Sequence, residues 1–93
     1  MIRSFADRGT ERLWRREAPG SLDSRIVRTA QRKLAILDSA VDLKDARVPP
    51  GNRLEKLKGD RVGQHSIRIN DQWRLCFVWT EKGVVDVEIV DYH

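Results

Sequence analysis

Apolar residues recur at helical spacing in the first half of the chain and at alternating spacing in the second. Leu22, Ile26, Ala30, Leu34, Leu37 and Val41 fall three or four apart, one stripe along a helix that Ser21 or Asp23 would open. A shorter helix is expected before it, capped by Thr10, running through Leu13 and Trp14, and stopped by Pro19-Gly20. Ile2 to Phe5 reads as a brief strand or packed lead-in. The stretch DLKDARVPPGN, residues 42–52, ends helical structure because Pro49-Pro50-Gly51 imposes extended and turn geometry. Strands are expected at 64–70, 73–80 and 84–92, with a shorter one at 54–57. Helices first and strands after predict a single α+β domain over residues 1–93, with an antiparallel sheet and two helices on one face.

Strand parity sorts the side chains. Ile67 and Ile69 share one face, as do Leu75, Phe77 and Trp79, and Val85, Val87 and Ile89. Keeping these sets together sets Ile69 opposite Leu75 and Ile67 opposite Phe77. A three-residue Glu81-Lys82-Gly83 loop then sets Phe77 opposite Val87 and Leu75 opposite Ile89. Arg68, Arg74, Cys76, Glu88 and Tyr92 fall on the other face, expected to be exposed, where Glu88 is an available partner for Arg68.

Charge adds an asymmetry. The net charge is +4, but residues 1–53 carry 12 Lys/Arg against 7 Asp/Glu, and residues 54–93 carry 6 against 7. Thirteen of the 18 cations are Arg, the side chain suited to bidentate phosphate or carboxylate contact. Arg25, Arg28, Arg32 and Lys33 fall off the apolar stripe of the second helix and form either a solvated face or a basic rail for RNA or an acidic partner. Cys76 is the only cysteine, which points to a reducing, cytoplasmic setting. The charged N-terminal stretch reads as neither a signal peptide nor a membrane span.

Few groups offer chemistry. One Cys and two His give no metal-ligand spacing, so neither a metal nor another cofactor is expected. GDRVG at 59–63 reads as a tight turn, His65 as a packed or rim histidine, and Cys76 as an ordinary small hydrophobe rather than a nucleophile. The remaining set is Lys58, Arg68 and Arg74 as phosphate ligands, with Asp91, Tyr92 and His93 closing the sequence. Metal-free RNA cleavage needs a base for the 2′-hydroxyl, cations for the transition-state phosphate and an acid for the leaving oxygen. His93, as an imidazole, is a candidate acid or base, and Tyr92 can stack on a base or orient the ribose.

LKGDR, SIRINDQWR and the closing DYH, together with the lead-in SFADRGTERLW, resemble the HigB-type toxins of the RelE/ParE superfamily, the plasmid maintenance killer family, over almost the whole chain. The resemblance implies a small RelE-like fold with a mostly antiparallel sheet of four to five strands. It implies a cytoplasmic ribosome-dependent mRNA endonuclease, acting in the ribosomal A site without metal, through Lys58, Arg68, Arg74, Asp91, Tyr92 and His93. Arg61, Arg25, Arg28 and Arg32 are the further RNA-binding candidates. The implied partners are the ribosome with its mRNA and a HigA-type helix-turn-helix antitoxin, through which alone operator DNA would be reached; no membrane is implied. Some relatives carry a His shortly before LKGDR, where this chain reads Leu54-Glu55-Lys56. The general base stays open among Lys58, Asp91, Glu55 and His93. The same fold also serves ParE-type gyrase inhibitors, which generally lack the closing Tyr-His, and a non-catalytic co-repressor module is a third reading.

Overall fold

The computed structural model of the chain describes residues 1–17 and 24–91. The expected stop at Pro19-Gly20, the helix start at Ser21 or Asp23, Leu22, and the pair Tyr92 and His93 therefore lie outside the described residues.

The first helix, α1 (Arg8–Trp14), is capped by Asp7 rather than Thr10: the Asp7 carboxylate accepts from the Thr10 N–H at 3.2 Å. Thr10 is instead buried, and its hydroxyl accepts from the Ile89 N–H at 3.0 Å, fastening α1 to the last strand. The second helix, α2 (Val27–Ser39), buries Ile26, Ala30, Leu34 and Leu37 as its stripe predicts. Val41 does not join them. The helix ends at Ser39, Ala40 turns extended, and Val41 is 84% exposed. Lys33, expected on the outer face, is 9% exposed and donates to the Asn52 carboxamide oxygen. Burial is the first cause that holds its ammonium below the ordinary lysine value, followed by the charges of Arg32 and Arg68.

Four strands form one antiparallel sheet in chain order: β1 (Glu55–Lys56), β2 (His65–Arg68), β3 (Trp73–Thr80) and β4 (Gly83–Asp91). The N-terminal segment runs parallel along the outer edge of β4 through bridges at Ile2–Val84 and Phe5–Val87. This covers an edge that would otherwise invite another chain. Helices and sheet close on one apolar core that includes Leu13, Leu34, Leu37, Ile67, Leu75, Phe77 and Val87. The chain is thus α+β, with both helices against one face of the sheet.

Two registers differ from the parity argument. Ile67 faces Leu75 and His65 faces Phe77, a shift of two residues from the expected pairing. Even shifts preserve faces, so the core set survives. The shift arises because the turn starts early: Ile69 and Asn70 both donate to the Trp73 carbonyl, and the Asn70 side chain accepts from the Gln72 and Trp73 N–H groups at 2.9 and 2.8 Å. Across the second hairpin Leu75 faces Ile89 as expected, but Thr80 pairs with Gly83, so the loop holds only Glu81 and Lys82. The ladder shifts between Cys76 and Val78, opposite Asp86, whose φ of 53° is left-handed. That bulge inverts parity along the first part of β4 and buries Val84 in place of Val85. Gly83 is needed where it stands, since a Cβ there would lie 2.6 Å from the Met1 carbonyl oxygen.

The loop between α2 and β1 is held from beneath. Asn52 is fully buried, receives the Lys33 ammonium, and donates to the carbonyls of Ala46 and Val48 at 3.0 and 3.1 Å. Asn52→Ala leaves a buried ammonium and two carbonyls without partners and should cost about 2–4 kcal/mol, read by urea denaturation; a loss below about 0.5 kcal/mol would contradict this packing. His65 stacks on Phe77 with centroids 6.2 Å apart, and its Nδ1 is buried without a partner among the described residues. Burial first, and Lys56 second, lower its pKa. Below about pH 6.5 the unfolded chain therefore takes up a proton that the folded chain resists, so stability is full above that pH and falls on acidification. His65→Phe should flatten the dependence of the melting temperature on pH between about 7 and 5, and an unchanged slope would show that other groups cause it.

Candidate functional site

The early turn after β2 has a chemical consequence: it sets Arg68 directly opposite Arg74. Two like charges at facing positions repel, so the pair persists only if each guanidinium has acceptors. Arg68 forms an ion pair with Asp71 at the exposed rim, the Arg68 side chain being 36% exposed. Arg74 lies deeper, at 9% exposure. Its Nε donates to the Ser66 hydroxyl at 2.8 Å, and its Nη2 donates to the Arg53 carbonyl at 2.7 Å and the Ser66 carbonyl at 3.3 Å. The Glu55 carboxylate is 3.9 Å away.

This corrects the picture of an open sheet face. Ser66 and Cys76 are fully buried on that side, and Glu88 pairs with Arg61 at 3.1 Å rather than with Arg68. Arg74 spans from β2 to the loop before β1, and its buried guanidinium closes the face.

Between that loop and the β2–β3 turn opens a cleft of about 640 Å³, lined by Gly51, Arg53, Glu55, Arg68, Asn70, Asp71 and Arg74. Three guanidiniums face two carboxylates there, and Lys33 lies within electrostatic reach of Arg68. Arg53 was not singled out by sequence pattern. It occupies a left-handed conformation, φ 46° and ψ 60°, that turns its carbonyl to Arg74 while its residue lines the cleft. The available signal was a cation straight after Pro-Pro-Gly-Asn, where a rigid turn fixes its direction.

Of the sequence candidates, Arg68 and Arg74 meet in the cleft. Lys58 is exposed beyond β1, at the N-terminal end of the Gly59–Arg61 turn, and does not line it. Arg61 is engaged by Gln64 and Glu88. Asp91 pairs with Trp73, the neighbour of Arg74, and accepts from the Gln72 side chain at 3.0 Å. Asp91, the last residue of β4, thus lies at the sheet end that carries the cleft's turn. Arg28 and Arg32 are exposed on α2 and Arg25 is exposed in the turn before it, with the Arg32 charge felt by buried Lys33.

The site therefore sets three guanidiniums and two carboxylates in one cleft of a small α+β protein, and guanidiniums so grouped can contact an anion with several oxygens. Comparison with known proteins is more specific. Residues 3–93 match the family described as RelE-like toxin of type II toxin-antitoxin system HigB. Toxin HigB-1 of Vibrio cholerae serotype O1 is 39% identical over 98 residues, covering all of this chain and 98% of that protein. Endoribonuclease HigB of Proteus vulgaris is 27% identical over 93 residues, the full length of both. The chain belongs to the HigB-like family of RelE-like toxins, and that membership implies a type II antitoxin as partner. Among the described residues no helix is long and apolar enough to cross a membrane.

The role of Arg74 as a brace is testable. Arg74→Lys keeps the charge but cannot reach Ser66 and Arg53 together, and should cost about 1.5–3 kcal/mol in urea denaturation. Wild-type stability would show that the guanidinium holds nothing.

Proposed function

We propose that the chain is an endoribonuclease that cuts mRNA in the A site of the translating ribosome, and that a HigA-type helix-turn-helix antitoxin neutralises it in the cytoplasm. The observation that carries the reading is the facing pair Arg68 and Arg74, joined in one cleft by Arg53. Family membership and the name of the Proteus vulgaris relative support it.

In this reading the scissile phosphate enters the cleft between Arg53 and Arg68, while Arg74, held by Ser66 and the Arg53 carbonyl, fixes their separation. The 2′-hydroxyl loses its proton and attacks the adjacent phosphorus. The P–O5′ bond breaks, and the 5′-oxygen takes a proton, leaving a cyclic phosphate and a 5′-hydroxyl. Fixed guanidiniums stabilise the added charge on the phosphate without reorganising, the term that usually dominates such catalysis. His93 supplies the leaving-group proton, Tyr92 stacks on the nucleotide, and Asp91 and Lys58 flank the substrate. Four groups are candidates for accepting the 2′-proton: Glu55, which already lines the cleft, Lys58, Asp91 and His93. Positioning by the ribosome compensates for a weak base.

Translating bacterial ribosomes given this protein should yield mRNA cut within codons, with products ending in a cyclic phosphate. Arg68→Ala, at the exposed rim, should lower the single-turnover rate about 10²-fold, as should deletion of His93. Intact mRNA on those ribosomes, or cutting unchanged by both variants, would overturn the reading.

A further inference from the structure

A second groove, of about 390 Å³, lies on the other side of β1, between β1–β2 and the 3₁₀ turn Leu43–Arg47. Leu43 and Leu54, both packed on the core, are its apolar lining. The three-residue period of the 3₁₀ turn brings Lys44 and Arg47 into line along one wall. Lys56 and its cross-strand partner His65 form the other. No carboxylate occurs among the described residues that line it. Asp45, in the same turn, is engaged by the Val41 and Asp42 N–H groups, which are the main cause of its lowered pKa. Among the described residues none of the three cations is held in an ion pair.

Alternation along one short segment separates the two sites. Arg53 and Glu55 line the cationic cleft, whereas Leu54 and Lys56 line this groove. β1 is also the outermost strand of the sheet, and among the described residues no strand pairs with its far edge.

We propose that this groove docks an extended, acidic, leucine-bearing segment of a partner protein, and that the type II antitoxin is the protein that supplies it. Leucine-type side chains cover Leu43 and Leu54, and carboxylates pair with Lys44, Arg47 and Lys56, while the peptide backbone lies along the β1 edge. A phosphate backbone would satisfy the cations but leave the leucines facing water, which favours peptide over RNA. The occupant grips the segment that carries Arg53 and Glu55 without entering the cleft, so binding and inhibition need not be competitive with substrate.

The test is an NMR titration of the isotope-labelled chain with a short peptide of alternating glutamate and leucine, and separately with oligouridylate. The peptide should shift Leu43, Lys44, Arg47, Leu54 and Lys56 and leave Arg68 and Asn70 in place. Lys44→Glu with Arg47→Glu, both outside the sheet and checked for an unchanged melt, should weaken it by about tenfold or more. Arg68→Ala should bind it like the wild type, which separates this readout from nuclease activity. No shift at the groove, undiminished binding by the double variant, or oligouridylate shifting the groove in place of the peptide would each overturn the proposal.

Discussion

The cleft depends on one buried guanidinium. Arg74 joins Ser66 of β2 to the backbone of Arg53, and so ties the loop before β1 to the sheet on the cleft side. A charge at this depth is tolerated because several acceptors surround it, and its removal would strand them. The same bridge explains how Arg68 and Arg74 face each other. Each guanidinium is drawn to its own acceptors, Asp71 at the rim and Ser66 with Arg53 below, so repulsion is divided rather than met head-on.

The loop is gripped from both sides. Beneath it Asn52 takes the Lys33 ammonium and satisfies two carbonyls; above it Arg53 gives its carbonyl to Arg74. Between these fixed points the alternation of residues 53–56 is imposed on two surfaces at once, a polar cleft and a leucine-lined groove. A short strand at the sheet edge thereby links the cationic cleft with the leucine-lined groove. Lys33 also adds positive potential behind the cleft, even though burial weakens its hold on its proton.

Much of this was legible in the residues. The helical stripe from Ile26 to Leu37, the strand positions and the grouping of Arg68 with Arg74 follow from period and parity, because burial selects faces and faces are periodic. What parity cannot read is anything that changes the count. The Asn70 side chain closed the turn early and moved the register by two, and Asp86 entered a left-handed bulge that exchanged Val84 for Val85. Side-chain reach was equally hidden. Thr10 looked like a cap but served Ile89, Lys33 looked like surface but anchored Asn52, and the expected Arg68–Glu88 pair gave way to Arg61–Glu88. Arg53 escaped notice because its role comes from backbone geometry, which no alternation pattern encodes.

The most direct measurement is a structure of this chain on a ribosome whose A-site codon carries 2′-O-methyl groups and so cannot be cut. The account predicts a backbone phosphate within hydrogen-bond distance of Arg53 and Arg68, with Arg74 still bonded to Ser66 and the Arg53 carbonyl. A codon lying along α2, or a phosphate held by Arg61 and Lys58 with the cleft empty, would contradict it.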